Sequence, residues 1–523
     1  MKMKKVLKTA YLPSKGKLIF AGIFLVSFVC NFSSRAQKIF TQAHEDSYQF
    51  PVQPNSEKWK AFETHNEMLE ACTLPQGSID QLSTDALIST CLYYPLLTDL
   101  TAYEEWQTGF RNVCNGFNGL QELLRRKDAG QKLFGIYTQA NPAGFDEGLP
   151  WLDKARYCFR LGIVEMLLCQ DAVLENFSPE EKKALLDKCL QTEQLKKALP
   201  EWYSLYGRIP THVCMAKVLK SLNDNTFEEK LSTQVQLDYF LHNGNLVVDE
   251  SLFNEIQLCA NAQLGKKSEA ANSTEKVEQC DSPGTVTTPN NSTVHIQVYN
   301  CEPYSSSDLS SFEAYNTQNY PSAIKIGPPT GMYNCHSYSW HLQSLSNKVW
   351  MNDNGTNNGP SQYWLDNSYV EVTPLVDTSY RITYNESNGT NDHTAYQRPS
   401  HGKTTQSKWG GSPLYAHNIN YVPYPTNNKR MFKRNSSTGI STYTNEEGLF
   451  CYPNPSNGLV HITLPEGAGF STVEIYDYSG NLVYKVSLAG TSLNIDLRAY
   501  SKGIYLATIL NNKEQKHIKL IIE

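Results

Sequence analysis

Apolar positions along the chain change their period, and each change predicts a different kind of structure. From Gln37 to about Leu264 they recur at helical spacing. Phe110, Val113, Phe117, Leu120, Leu123 and Leu124 fall at i, i+3, i+7, i+10, i+13 and i+14, one face of an α-helix. Ser178-Pro-Glu-Glu181 predicts a helix start, with Ser as N-cap, Pro at the first helical position and Glu three residues after the cap. The helix it opens carries Leu185, Leu186, Cys189 and Leu190 on one side. A further helix is expected from Thr211, after Pro210, burying Val213, Val218, Leu219 and Leu222. The pattern predicts an all-α helical domain over 37–265, an array or irregular bundle without a clean repeat period.

The helical period then lapses. Residues 266–294 are rich in Ser, Thr, Asn, Glu and Pro, which predicts an exposed linker with Cys280 as its one pinning point, and residues 426–447 predict a second linker. Between them, 295–425 alternates short strands with helix signals, an α+β pattern. Over 448–523, short apolar-periodic runs alternate with turn signals: His461 to Leu464, Val473 to Tyr478, Leu482 to Val486, Leu493 to Leu497 and Gly503 to Ile509. These predict a small β-sandwich. Tyr478-Ser-Gly480-Asn supplies a hairpin turn, because Gly takes positive φ without steric cost.

The amino end carries an export pattern. Lys2, Lys4, Lys5, Lys8, Lys15 and Lys17 precede an apolar run from Leu18 to Cys30, and Ser34-Arg35-Ala36 offers small residues for cleavage, so 1–36 reads as a secretory signal peptide. The run is too short to span a bilayer comfortably, so no transmembrane segment is expected after cleavage. Of thirteen cysteines, Cys30 leaves with the signal, Cys451 borders the last domain, and ten besides Cys335 lie between Cys72 and Cys301. In an oxidising compartment these fit disulfides, and at helical core spacing they fit buried thiols. A net charge of −6 gives no electrostatic footprint for nucleic acid or an anionic membrane.

Tyr452-Pro453-Asn454-Pro455 with Gly458 and Ile462, then Asp477-x-x-Gly-x-x-Val483, Gly503-x-Tyr505 and the closing Lys519, make the last stretch resemble the C-terminal sorting domain of the type IX secretion system of Bacteroidetes-type bacteria. The resemblance implies the type IX machinery as partner, and a secreted or outer-surface location after passage through the periplasm. The helical part also resembles the amino-terminal region of a group of exported Bacteroidetes proteins of unassigned function, through Leu82 to Pro95 and Phe117 to Arg126.

The candidate chemistry lies in 295–425. Gly331-Met-Tyr-Asn-Cys335-His-Ser-Tyr-Ser-Trp340 reads as a turn entering a helix with the cysteine near its amino end, where unpaired N–H groups and the helix dipole stabilise a thiolate. Those N–H groups, with Asn334 or Tyr333, are oxyanion candidates. Asn391-Asp-His393-Thr-Ala-Tyr396 reads as a strand with histidine at its start, Thr404 to Gly410 as its neighbour and Pro413 to His417 as a return. A cysteine at a helix start, a histidine on a following strand and a polar orienter on the next are what thiol-histidine catalysis requires. This order resembles papain-like cysteine peptidases and amidases of the NlpC-like and CHAP-like branch. More closely it resembles exported bacterial proteins with an Asn-Cys-His-Ser-Tyr-Ala-Trp motif, Ser339 standing here in place of the Ala. The resemblance implies Cys335 as nucleophile, His393 as general base, and a peptide or peptidoglycan substrate. Gln406, Ser407, Lys408 and His417 compete as orienter, Ser407 or Gln406 fitting best because a lysine repels an imidazolium.

Structural roles stand beside these. Cys335 also fits a packed thiol or a disulfide with Cys301, and His393 a core histidine. His336 and His341 do not share a helix face with Cys335, so no metal or other cofactor is expected. The alternative function is a non-catalytic, surface-displayed binding or structural protein.

Overall fold

The computed structural model describes residues 38–244, 250–266, 280–352, 358–373, 379–384, 393–398, 405–435, 450–463, 472–487, 490, 492–510 and 515–523. The signal segment 1–36 and Asn391-Asp392 lie outside them. Two compact units make up the chain, Met1–Lys433 and Arg434–Glu523.

Local chemistry sets the helix boundaries over 38–263. Ser178 and Glu181 form the expected capping box ahead of the helix Pro179–Lys197, and Thr64 with Glu67 forms another ahead of His65–Cys72; such caps contribute about 1 kcal/mol each. Two boundaries differ from expectation. The apolar stripe of 110–124 belongs to two helices, Trp106–Gly116 and Asn118–Arg125, because Phe117 turns extended and stacks on Tyr94 while the Asn118 carboxamide ties the backbone N–H and C=O of Leu74. The helix expected from Thr211 starts at Leu205, where Ser204 caps Gly207 N, and runs to Ser221 with Pro210 inside it.

The rest of the first unit is β-rich. Strands β1 (Asp281–Thr287) and β2 (Thr293–Tyr299) form an antiparallel hairpin, and β2 also pairs β4 (Val349–Trp350). The expected linker 266–294 is therefore part of a β-hairpin from Asp281 onward. A Cys280–Cys301 disulfide clamps the open end of the hairpin. Cys301 is thereby taken, and Cys335 is a free thiol. Eight cysteines from Cys72 to Cys259 are also free and lie in or against the helical core.

Seven strands make the main sheet, β3 (Ile324–Lys325), β5 (Tyr369–Glu371), β6 (Tyr380–Tyr384), β7 (His393–Gln397), β8 (Thr405–Lys408), β9 (Leu414–His417) and β10 (Arg430–Arg434), in the order β3-β9-β8-β7-β6-β10-β5. The second expected linker, 426–447, thus contains a strand, Phe432 of β10 pairing Arg381 of β6; residues 436–447 lie outside the described ones. The sheet shares one core with the helices: Ile382, Tyr384, Ala395, Trp409, Tyr415 and Tyr424 join the cluster that begins at Phe40. Polar ties cross the same boundary. Trp59 Nε1 donates to Asn319 O at 2.7 Å, and Tyr320 OH to Asp99 Oδ2 at 2.8 Å. Gly410 shows how close the approach is. Its φ is +52°, and a Cβ there would sit 2.7 Å from the Thr101 carbonyl oxygen.

The second unit has its own core of Val460, Ile462, Val473, Ile475, Ile495, Leu497, Tyr505 and others between two antiparallel sheets. One sheet is β11 (Phe450–Tyr452), β12 (Leu459–Thr463) and β15 (Ser492–Asp496). The other is β13 (Thr472–Asp477), β14 (Leu482–Ser487), β16 (Gly503–Leu510) and β17 (Gln515–Ile522), ordered β14-β13-β16-β17. Gly480 sits at φ +84° in the expected hairpin turn, and Asp477 Oδ1 accepts from Ser479 N and Asn481 N, both at 2.9 Å.

Candidate functional site

Cys335 opens the six-residue helix Cys335–Trp340, and Asn334 is its N-cap, accepting from Ser337 N at 3.0 Å. The other end of the Asn334 carboxamide is already engaged: Nδ2 lies 2.6 Å from Glu104 Oε1 and 2.9 Å from both Met351 O and Asn352 Oδ1. Asn334 is thus an organising cap whose donors are occupied. Tyr333, fully buried, turns its ring toward Lys408 Nζ at 5.5 Å, and its hydroxyl has no partner among the described residues.

Cys335 is buried, 5% exposed as a residue. Burial and the Glu104 carboxylate push its thiol up to about 12, against hydrogen bonds from Thr394 and the His336 N–H. At this helix start, burial outweighs the helix terminus by magnitude. A helix terminus contributes roughly 0.3–1 kcal/mol, under one pKa unit, whereas burial moves a group by up to about 3–5 units.

The structure does not bring His393 to Cys335. His336 Nδ1 lies 3.1 Å from Thr394 Oγ1, so Thr394 faces the cysteine helix, and Tyr338 OH donates to Gln406 Oε1 at 3.0 Å on the same face. Side chains alternate along a strand, so His393, Ala395, Ser407 and Trp409 face the opposite side, toward the helical core. There His393 is fully buried and stacks on Tyr424 at 3.9 Å and 7°. Burial holds its pKa well below the ordinary value, and neither ring nitrogen has a hydrogen-bond partner among the described residues. Ser407 serves a different histidine: its Oγ lies 2.7 Å from His417 Nε2 and accepts from Trp409 Nε1 at 2.9 Å. His417 Nδ1 meets Asn418 O at 2.9 Å, and burial lowers this imidazole to about 4. Cysteine, histidine and serine therefore do not form a catalytic line.

Two ionisable groups that the sequence reading did not select hold this region together. Glu104, from the helical part, also receives Trp350 Nε1 at 2.9 Å and Asn352 Nδ2 at 2.6 Å. Burial pushes its carboxyl up to about 7 although all three donors favour the charged form. Lys408, fully buried, donates to Thr330 O at 2.6 Å, Gly410 O at 2.8 Å and Ser412 O. Its pKa falls to about 7 through burial. Nothing in the spacing of Tyr103-Glu104-Glu105-Trp106 marks Glu104, since its partners lie more than 200 residues away.

A second locus lies at the mouth between the helices and the loop after β9. A cleft of about 480 Å³ is lined by His65, Asp99, Asn66, Asn112, Asn115 and Asn427, with apolar walls from Leu69, Leu96 and Val113. His65 Nε2 lies 3.0 Å from Asp99 Oδ2. The available signal was Asp99 itself, a lone carboxylate inside the apolar run Leu96-Leu-Thr-Asp-Leu100, since a buried charge needs a partner.

The sorting-motif residues do come together. Asn454 Oδ1 accepts from Ile521 N at 2.8 Å while its Nδ2 donates to Lys519 O at 2.5 Å, and Ser456 N donates to Ile521 O at 2.9 Å, so the opening motif fastens to the last strand. Gly458 has φ +99°, and a Cβ there would meet Arg498 N at 2.8 Å. Tyr505 OH donates to Ser501 O at 2.6 Å, just ahead of Gly503. Tyr452 and Pro453 lead into this arrangement, the backbone of Tyr452 pairing His461, and Pro455 follows Asn454.

No curated protein matches the chain. Among solved structures, one described as "Biofilm associated protein - BSP domain" is similar over 44% of this chain at 14% identity, with a TM-score of 0.15 that carries no argument about fold; the similarity spans 38% of that protein's chain. Among the described residues no helix is long and apolar enough to cross a membrane. Residues 451–523 match the family described as secretion system C-terminal sorting domain, so the chain carries a type IX sorting tail, which indicates a secreted or cell-surface protein.

Proposed function

We propose that this exported protein is a non-catalytic binding protein, and that its central sheet is a scaffold and not a thiol hydrolase. One observation carries the reading: Cys335 is buried against Thr394 while His393 faces the other side of the sheet, sealed under Tyr424. A nucleophile must be reachable and ionised near neutral pH, and its base must touch it. The thiol hydrolase alternative, with Cys335 as nucleophile, His393 as base and a peptide or peptidoglycan substrate, would need β7 to shift by one residue. The tail supports delivery to the outer surface, where the cleft beside His65 is a concave polar feature that a ligand could enter.

The test is iodoacetamide labelling of Cys335 in the purified chain between pH 6 and 10, read by peptide mass, in the parent and in His393→Ala. Labelling that appears only after unfolding, in both, is the expected result. Rapid native labelling that titrates below pH 8 and slows in the variant would overturn the proposal.

A further inference from the structure

We infer that Cys189 and Cys214 are joined by a disulfide in the exported protein, a second covalent tie that staples two helices of the core. Such a tie is independent of what the protein binds.

The two cysteines face each other across one seam. Cys189 lies in the helix Pro179–Lys197 and Cys214 in the helix Leu205–Ser221, at matching distances on either side of the short connection 198–204. Both are fully buried in the same core cluster, and their thiols are hydrogen-bonded to each other. A disulfide needs Cα atoms about 4.4–6.8 Å apart, a spacing that facing positions of close-packed helices meet. Cys169, the other thiol nearby, is engaged elsewhere: its Sγ donates to Met166 O at 3.3 Å and accepts from Gln170 Nε2 at 3.7 Å.

The chain's route supplies the chemistry. Its sorting tail indicates passage out of the cell, and the Cys280–Cys301 bridge in the same unit is already a disulfide. In the folded chain the Cys214 thiol is held well above its ordinary range by the Cys189 thiol and by burial, so the bridge forms before the two helices close. The thiolate of one cysteine attacks the disulfide of a protein oxidant, giving a mixed disulfide and freeing one oxidant thiol. The thiolate of the other then displaces the second oxidant sulfur. Two S–H bonds are lost and one S–S bond forms, and two electrons and two protons leave as the oxidant's pair of thiols.

The seam is one that a covalent tie would strengthen. Lys196 Nζ donates to Thr211 Oγ1 at 2.9 Å and Arg208 Nε to Glu193 Oε1 at 2.8 Å, all four side chains buried between these helices. Burying charges costs desolvation that offsets much of their attraction, so such contacts hold a seam weakly.

The experiment takes the full chain through the periplasm of an exporting host, purifies it without reductant, unfolds it in guanidinium, alkylates it with N-ethylmaleimide and reads the digest by mass. The expected product is the Cys189 peptide linked to the Cys214 peptide, two hydrogens lighter than their sum and separated by dithiothreitol. Alkylation of both cysteines in the unreduced chain would overturn the inference, whether or not Cys280 and Cys301 are found linked, and so would a link from either to Cys169. Melts give the second reading. In a chain carrying Cys280→Ser and Cys301→Ser, dithiothreitol should lower the melting temperature by roughly 5 °C, and adding Cys189→Ala and Cys214→Ala should abolish that difference. No difference in the first chain, or the same difference in both, would also overturn it.

Discussion

Nδ1 of His336 lies 3.1 Å from Oγ1 of Thr394, and that contact fixes which side chains of β7 meet the cysteine helix. His393, one residue earlier, is turned away and stacked on Tyr424, with both ring nitrogens unmatched among the described residues. A buried imidazole of this kind contributes shape and little else. His393→Phe should therefore melt at or above the parent temperature, whereas His393→Ala should lose about 2 kcal/mol by leaving a cavity. Because the folded-state pKa of His393 is depressed, its contribution is present above about pH 6.5 and is lost as pH falls through its folded value. The advantage of His393→Phe should therefore grow below pH 6.5 in thermal melts. A Phe variant that destabilises at every pH would contradict this account.

Glu104 acts in the opposite sense. Its folded pKa is raised to about 7, so its contribution is fully present below the unfolded value near 4.5 and is lost as pH rises through about 7. Glu104→Gln removes that titration and points an amide donor at Trp350 or Asn352, which should cost roughly 1–3 kcal/mol. The stability gap between parent and variant, measured by denaturant titration, should narrow from pH 5 to pH 8. A gap that widens would refute the assignment.

Inside the helical region, Lys196 Nζ meets Glu165 Oε2 at 2.7 Å with both side chains fully buried, and Tyr137 and Thr211 each donate to Glu165 Oε1 at 2.9 Å. Removing one partner strands the other charge. Glu165→Leu alone should cost about 3–5 kcal/mol, and adding Lys196→Met should recover part of it. A double variant no better than the single one, in urea unfolding, would show that the hydroxyl network dominates over the charge pair.

The shared core makes a prediction about truncation. Residues 38–435 should unfold in one cooperative transition, since helices and main sheet contribute to a single cluster. Residues 38–265 alone should expose the faces that cover Trp409, Tyr415 and Tyr424, and bind a hydrophobic dye. A helical fragment that melts sharply and binds no dye would show that the helices fold independently.

In the tail, Asn454 is tied to two backbone groups of β17. Asn454→Ala should lower the stability of the second unit by about 1–2 kcal/mol, and Gly458→Ala by a similar amount through the forced positive φ. If export requires the folded motif, the fraction reaching the medium should fall in both; unchanged melts of the second unit would remove the structural role given to these residues.

The sequence by itself determined what is local. Helical periods placed the 38–263 helices, Ser178 and Glu181 placed a cap, Gly480 placed a hairpin, and the motif from Tyr452 to Tyr505 marked the sorting tail. The strands at His393, Thr405 and Leu414 were also legible. What only the tertiary structure decided is which way those strands face. All four residues of β8 and all four of β9 are buried, as are four of the five in β7, so no alternation of apolar and polar residues tells one face from the other. A one-residue choice of face then separates Thr394 from His393, and with it a packed cysteine from a catalytic one. The partners of Glu104 and Asp99 are non-local in the same way. Each is set by the packing of segments distant along the chain, for which spacing in sequence carries no signal.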